Sequence, residues 1–530
     1  DTSKTKPDST TVVVHKLQAD SYDSSKVPAK HNGGLIEKIT DLGTNVKALA
    51  GVKFTYYKVS KEDYKKIEGA RGEYDTVEKM EAKIADKTIS IEGQAKEIGP
   101  TNDQGEATAP DLADGYYWFV ESGKPENVSS AIAVPFGISI PVTNSVEIKD
   151  KAGKTHDAGT VYLKKVHVYP KNVTGDLPKT EKDVNEIGNK TANFKIGDPV
   201  SWFITGDIPA NLKEYKTYYL TDDLDKQLTY LTGKAKVLYG TYADKAALQA
   251  EQNTIDGTTH KTGILPKNYY TLTEPTANEK GGKLKLELTE AGRKALYSES
   301  DPKHKLYLYF ETKINEDAIM GKDIENNVIL KFINTPDGDK EKESKPEKPP
   351  HVNTGGKRFI KLDEKDKSTE DLTNATKLKD AVFTIKHQEN GDEPKNDAWK
   401  NVQDLTWTED LIKANKTAID AGKFATKDET KDVYTKTSTQ NQPTKGSVIY
   451  LRSDDQGAFE IKGLKYSKFT PEKWDSAQQK LVSNGTEIHN YYALKEVKAP
   501  KEYGLIDGYT PFTIDANSYY EDPTAQDLAD

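Results

Sequence analysis

The sequence contains no cysteine. Disulfide scaffolds, thiolate zinc sites, iron–sulfur clusters and cysteine nucleophiles are therefore excluded. Methionine occurs only twice. No apolar run approaches the ~20 residues that cross a bilayer as a helix. A basic block is also missing: Lys plus Arg is 76 against 85 Asp plus Glu, a formal net charge of −9. That balance makes nucleic acid and anionic membranes poor partners. The 9 histidines show no metal-ligand spacing, and no phosphate loop, GxSxG or HExxH occurs. No metal or other cofactor is expected. His15 and His167 read as strand residues facing solvent. Asp337-Gly-Asp-Lys340 and Asp454-Asp-Gln-Gly457 read as turns, whose oxygens could also reach a calcium ion. The amino terminus, Asp1-Thr2-Ser3-Lys4, has no signal-peptide apolar region, and reads as a mature form, an expressed fragment or a cytosolic chain.

What is present is length and aromatic content. A chain of 530 residues exceeds what one core serves, at about 150 residues per domain. With 29 Tyr, 13 Phe and 5 Trp it is not disordered, and a Tyr-, Thr- and Val-rich composition suits half-exposed strands. The charged, Pro-rich stretch Asp339-Lys-Glu-Lys-Glu-Ser-Lys-Pro-Glu-Lys-Pro-Pro350 reads as a linker. A weaker boundary lies at Gly175-Asp-Leu-Pro-Lys179. Three domains follow: 1–172, 173–345 and 350–530. Strand signals dominate each, among them Thr11–Leu17, Tyr116–Glu121, Val161–Val168, Lys305–Lys313, Asn327–Ile333, Arg358–Leu362 and Tyr491–Val497. Helical stretches are few, near 61–85, 243–252, 291–297 and 409–421. The pattern predicts a mostly β chain of sandwiches with short inserted helices.

Side chains alternate across a strand, so parity tells which residues share a face. Val12, Val14 and Lys16 share one, as do Tyr117, Phe119 and Glu121, and Val166, Val168, Pro170 and Asn172. In the second piece Lys182 comes early, Tyr218, Leu220 and Asp222 share a face, and Ile324, Asn326, Val328 and Leu330 share another. In the third, Phe359 and Lys361 share a face, and Tyr492, Leu494 and Glu496 do so later. Each piece thus sets a lysine and then a carboxyl group on largely apolar faces. In the first two an asparagine follows on the final strand.

Burying a lone ammonium costs several kcal/mol, so such lysines need a reason. One is a buried salt bridge, or snorkelling of the head group to solvent. The other is a self-made amide. Desolvation favours the neutral, nucleophilic amine and the protonated acid. The acid then polarises the asparagine carboxamide and shuttles protons while ammonia leaves, and the fold supplies proximity.

These residues resemble the sortase-assembled backbone (major) pilins of Gram-positive bacteria, of the three-domain streptococcal type. Val168-Tyr-Pro-Lys-Asn172 is similar to the pilin motif, and Tyr491-Tyr-Ala-Leu-Lys-Glu-Val-Lys-Ala-Pro500 to the E-box. Residues 16–22, Ile208-Pro-Ala-Asn-Leu212 and Gly355-Gly-Lys-Arg-Phe359 are further similar stretches. The resemblance implies three tandem immunoglobulin-like β-sandwiches, with collagen-adhesin A-like and B-like folds in the second and third. It makes Lys171 the acceptor in sortase polymerisation. It pairs Lys16 with Asn172, assisted by Glu121, and Lys182 with Asn326, assisted by Asp222. In the third domain it implies Lys361 and Glu496, with the partner asparagine in a strand this sequence does not contain; Asn517 is the nearest candidate, in a setting unlike the motif. The adjacency of Lys171 and Asn172 independently sends them to opposite faces of a regular strand.

The expected function is a structural shaft subunit of a wall-anchored extracellular pilus, not an enzyme beyond single-turnover bond formation. The expected partners are further copies of the chain, a pilin-specific sortase, tip and base minor pilins, and host extracellular matrix. Two alternatives stand beside it. One is a monomeric wall-anchored adhesin of collagen-binding type, which needs no acceptor lysine. The other is a polysaccharide-active enzyme built on pairs such as Asp222/Asp223, which read instead as a strand end and turn, and on Tyr116-Tyr-Trp118, which reads as a strand with one side in the core.

Overall fold

A computed structural model describes residues 2–18, 21–22, 33–44, 46–124, 135–170, 177–209, 211–296, 304–334, 336, 338, 341–366, 369 and 372–520. The architecture is mostly β, as expected. Two compact units form: Asp1–Leu177 with Asn334–Asp337, and Pro178–Ile333 with Gly338–Asp530.

In the first unit, a four-stranded antiparallel sheet runs in the order Phe136–Ile140, Gly115–Gly123, Lys53–Val59 and Ile91–Ile98. A second sheet sets Thr10–His15 between Lys165–Val168 and Glu106–Leu112. The first and last strands pair in parallel, Val12 opposite Val166 and Val14 opposite Val168. Val12, Val14, Phe54, Ala109, Tyr117 and Phe119 form the core between them. Strand alternation sends Tyr57, Val59, Trp118 and Val120 the other way, against Ile67 and Met80 of two helices. The helical stretch expected at 61–85 is these two helices, Lys61–Gly69 and Val77–Ala85. Ser60 and Thr76 cap them by accepting from the Asp63 and Lys79 amides, so each nine-residue helix has its own start.

The second unit holds two large hydrophobic cores, besides smaller ones around Phe203 and Val382. One gathers Val184, Trp202, Ile204, Tyr218, Leu220, Leu284, Phe310 and Leu330 from a ten-stranded sheet. The other gathers Phe383, Ile385, Trp407, Leu451, Phe459 and Tyr492. Backbone bonds join their surroundings: Ile196 N donates to Gly463 O at 3.0 Å and Lys190 N to Glu472 O at 2.7 Å. Gly321 (φ +76°) sits so close to the Ala516 carbonyl that any Cβ would overlap it.

The stretch read as a linker does more than connect. Lys342–Ser344 is a strand paired with Ile329–Ile333, and directly after the stretch His351–Asn353 pairs in parallel with Thr191–Asn193. The pairing uses backbone groups at a sheet edge, which need no apolar side chains, and charged residues are the usual occupants of an edge. The absence of an apolar anchor therefore did not reveal it.

Candidate functional site: buried lysine–carboxyl pairs

Lys182 lies mid-strand in Thr180–Val184, opposite Ile204 of Val200–Asp207. Its neighbours on the same face, Thr180 and Val184, are buried, as parity requires. Asp222 lies on the long strand Thr217–Tyr230, on the face of buried Tyr218, Leu220 and Leu224. Asn326 precedes Val328 and Leu330 on an inward face, and its backbone amide donates to Pro350 O at 3.0 Å. The misread linker thus helps position the asparagine.

These side chains are almost wholly removed from water: Lys182 is 0% exposed, Asp222 1% and Asn326 1%. Lys182 Nζ donates to Asp222 Oδ2 and, at 3.3 Å, to the Asn327 carbonyl. The rings of Trp202 and Phe310 lie 5.1 and 5.3 Å from the ammonium. Trp202 is held by its indole N–H donating to Thr312 Oγ1 at 2.8 Å. Burial lowers Lys182 to about 8, against the opposing pull of the carboxylate. Burial likewise raises Asp222, with Lys182 opposing. Asp222 Oδ1 and both polar atoms of the Asn326 carboxamide are buried without a hydrogen-bond partner among the described residues. Unsatisfied buried groups are rare and costly. Here one belongs to the carboxyl group paired with Lys182, and two to the residue before Asn327, whose carbonyl accepts from Lys182.

In the first unit Lys16 follows directly on the Thr10–His15 strand, fixed by its amide donating to Gly105 O at 2.8 Å and its carbonyl accepting from Leu49 N at 3.0 Å. It is 3% exposed, and its Nζ is 3.7 Å from Glu121 Oε1. Desolvation pulls Lys16 down and pushes Glu121 up, each opposed by the other's charge. Lys171 and Asn172 lie outside the described residues.

In the third piece Lys361 Nζ is 3.1 Å from Glu496 Oε2. Glu496 is buried, and its Oε1 accepts from Ile506 N at 3.0 Å. Asn517 is exposed, in a turn where its amide donates to Asp515 Oδ1 at 2.8 Å.

Some expectations need correcting. His15 is buried rather than solvent-facing: its Nε2 is 2.8 Å from Nδ1 of His167, and the Tyr169 ring stacks on it at 4.4 Å. The partner aromatics cover a face that parity alone assigns to solvent. Asp222 and Asp223 are not at a strand end; they lie inside Thr217–Tyr230, one buried and the other exposed, on opposite faces. Asp454 is a turn residue whose Oδ1 accepts from Gln456 N and Ala458 N. Among the described residues no group of three or more His, Asp or Glu is arranged to hold a metal.

The sequence reading missed Lys190. This buried lysine, on the turn after the Lys182 strand, is 2.9 Å from Asp183 Oδ1 and 3.2 Å from Glu181 Oε2, and it also donates to the Lys182 carbonyl. It falls outside a strand, where parity gives no signal.

Three lysines thus face carboxyl groups along the chain, Lys16 and Lys182 buried and Lys361 partly so. Residues 7–173 match the family profile described as Gram-positive pilin subunit D1, N-terminal domain. Over those residues the chain is similar to the D1 domain of Gram-positive pilins. It is 28% identical over 231 residues to a fimbrial subunit type 2 of Actinomyces naeslundii, across 41% of this chain and 40% of that protein. The match therefore spans less than half of that relative. The 35 kDa C-terminal fragment of the Streptococcus agalactiae major pilin GBS80 is 28% identical, covering 66% of this chain and 95% of its own, with a TM-score of 0.46. The full-length Corynebacterium diphtheriae major pilin SpaD is 22% identical, covering 95% and 91%, with a TM-score of 0.39.

Proposed function

We propose that the chain is a structural shaft subunit of an extracellular Gram-positive pilus, cross-linked inside its domains and joined to its neighbours through Lys171. The observation that carries the cross-linking is the buried, unpartnered carboxamide of Asn326, whose neighbour Asn327 accepts from Lys182 through its backbone carbonyl while Lys182 pairs with Asp222. The pilin D1 match carries the assignment to pili.

In the proposed step the neutral Lys182 amine attacks the Asn326 side-chain carbonyl carbon. A C–N amide bond forms, the C–NH2 bond breaks, and ammonia leaves. Asp222, kept protonated by burial, donates to the carbonyl oxygen and then carries the proton from the attacking nitrogen to the leaving one. Lys16, Glu121 and Asn172 make the same set in the first domain. Lys361 and Glu496 supply amine and acid in the third. Lys171, one residue from Asn172 in the sequence, attacks the acyl-enzyme that a sortase forms with the next subunit. Tension then enters at Lys171 and passes through cross-linked first and last strands, bypassing the hydrogen-bonded interior. Minor pilins at the tip and base, wall anchoring and contact with host matrix complete this reading.

Intact-mass measurement tests it. Each bond expels one ammonia, so the chain should weigh two ammonia less than its sequence mass, and one less after Lys182→Ala. A full sequence mass refutes the cross-links.

A further inference from the structure

Thr180–Val184, the strand that carries Lys182, ends its sheet, and among the described residues it pairs with Val200–Asp207 alone. Asp207 N donates to Lys179 O and Asn185 N to Ser201 O. Hydrogen-bonded pairs alternate along an antiparallel ladder, so residues 181 and 183 bond the neighbouring strand and Lys182 turns its backbone to the open edge. A buried carbonyl there needs a partner from outside the sheet. Lys190 supplies it, its Nζ donating to Lys182 O at 2.5 Å. The residues on either side of Lys182 hold that ammonium: it lies 3.2 Å from Glu181 Oε2 and 2.9 Å from Asp183 Oδ1. These carboxylates already balance the charge of Lys190, which is 5% exposed. Charge balance alone therefore does not account for the bond to the Lys182 carbonyl.

The backbone of Lys190 reaches toward the other reactant. Its carbonyl accepts from His351 N at 2.8 Å, and Pro350 O, one residue earlier, accepts from Asn326 N at 3.0 Å. Lys190 N donates to Glu472 O at 2.7 Å, and Glu472 N donates back to Thr191 Oγ1 at 2.9 Å, which fixes the residue from a further side. A path of three hydrogen bonds thus runs from Lys182 through Lys190 and the 350–351 segment to Asn326. We infer that Lys190 is a positioning residue for the Lys182–Asn326 amide, setting the strand that bears the amine against the segment that bears the carboxamide. The inference rests on the cross-link reading and adds to it a residue that touches neither reacting atom. Amide formation within one chain depends on near-contact of amine and carbonyl carbon, so loss of this bridge acts on the rate of the step. Lys190 carries no proton in it: ammonia still leaves from Asn326, and Asp222 still makes the transfer.

The test reads intact mass on the full chain at intervals after a pulse of synthesis. Lys190→Met should lose the second-domain ammonia on the order of a hundredfold more slowly than the parent, while the first-domain loss keeps its rate. Lys190→Arg, which keeps a cationic donor, should restore most of the rate. Leu248→Ala controls for stability: it removes a buried side chain packed with Phe203, on the other face of the same sheet, and should leave the rate unchanged. No slowing in Lys190→Met, equal slowing in Leu248→Ala, or a Lys190→Arg chain as slow as Lys190→Met would each overturn the inference. If circular dichroism shows that Lys190→Met does not fold, Glu181→Gln/Asp183→Asn takes its place, keeping Lys190 and removing the carboxylates that aim it. That variant should also be slowed, and one as fast as the parent overturns the inference. A parent at full sequence mass removes the cross-link itself. A parent two ammonia short, with Lys190→Met equally fast, removes only the positioning role.

Discussion

Replacing Lys182 by methionine separates the two meanings of a buried lysine by sign. If Lys182 is bonded to Asn326, the substitution opens a loop of 144 residues (326 − 182). On the chain-entropy treatment of cross-links, a loop of that length is worth about 5 kcal/mol of stability. If Lys182 is instead an ammonium paired with Asp222, methionine replaces a charge in a pocket walled by Trp202 and Phe310. Exchanging a buried ion pair for apolar groups of similar volume is neutral or stabilising, by up to about 4 kcal/mol. Asp222 left alone would confuse the comparison, since breaking a buried ion pair by removing one partner costs about 3–5 kcal/mol. The informative protein is therefore Lys182→Met/Asp222→Leu. Calorimetry should show the transition containing the middle domain fall by roughly 10 °C or more, at ~2–4 °C per kcal/mol, and intact mass should show one ammonia deficit gone. A double variant as stable as the parent, or more so, would refute the cross-link.

Asp222→Asn keeps the shape of the acid but removes its proton, so mass spectrometry should find the first-domain deficit only; two ammonia missing in this variant would exclude Asp222 as the catalyst. Lys171→Ala should abolish the high-mass ladder on cells while leaving the ammonia deficit unchanged; a surviving ladder points to another acceptor. Asn326→Ala leaves Lys182 able to titrate. Because burial holds its folded pKa at about 8, below 10.5, the unfolded chain binds more protons between those values, and stability relative to the parent should rise with pH across that window. Denaturant midpoints measured from pH 8 to 10.5 that run parallel in the two proteins would show that the parent lysine titrates as well.

The convergence of lysine and carboxyl group was legible because it depends only on strand parity, and Lys182, Asp222 and Asn326 all fall on regular strands or directly beside one. Lys16 and Glu121 were legible for the same reason. The helix break between Gly69 and Val77 was less so, since apolar spacing continues across it and only the caps Ser60 and Thr76 mark two starts. The edge strand at Lys342–Ser344 and the bond from Asn326 to Pro350 were not legible at all, because backbone pairing leaves no requirement on side-chain type. His15 was misassigned because burial by a neighbouring ring depends on which strands pair, and a parallel first-to-last pairing is a non-local fact.

The surroundings of Lys182 also bear on why a bond would form where an ion pair could have sufficed. An ion pair leaves Asp222 Oδ1 and both Asn326 polar atoms buried and unmatched, at a cost of about 1–3 kcal/mol for each such group. It also holds two opposite charges in a pocket whose burial opposes both, lowering the lysine and raising the acid. Conversion to an amide would remove the ammonium and let Asp222 remain protonated as a donor to a carbonyl that now lacks one. The same residues would therefore make a poor salt bridge but a better-matched neutral amide with its acid. The preference is electrostatic, so it should weaken wherever the lysine reaches water. Lys361, with a side chain 14% exposed against 0% for Lys182, is where an uncross-linked pair is best tolerated.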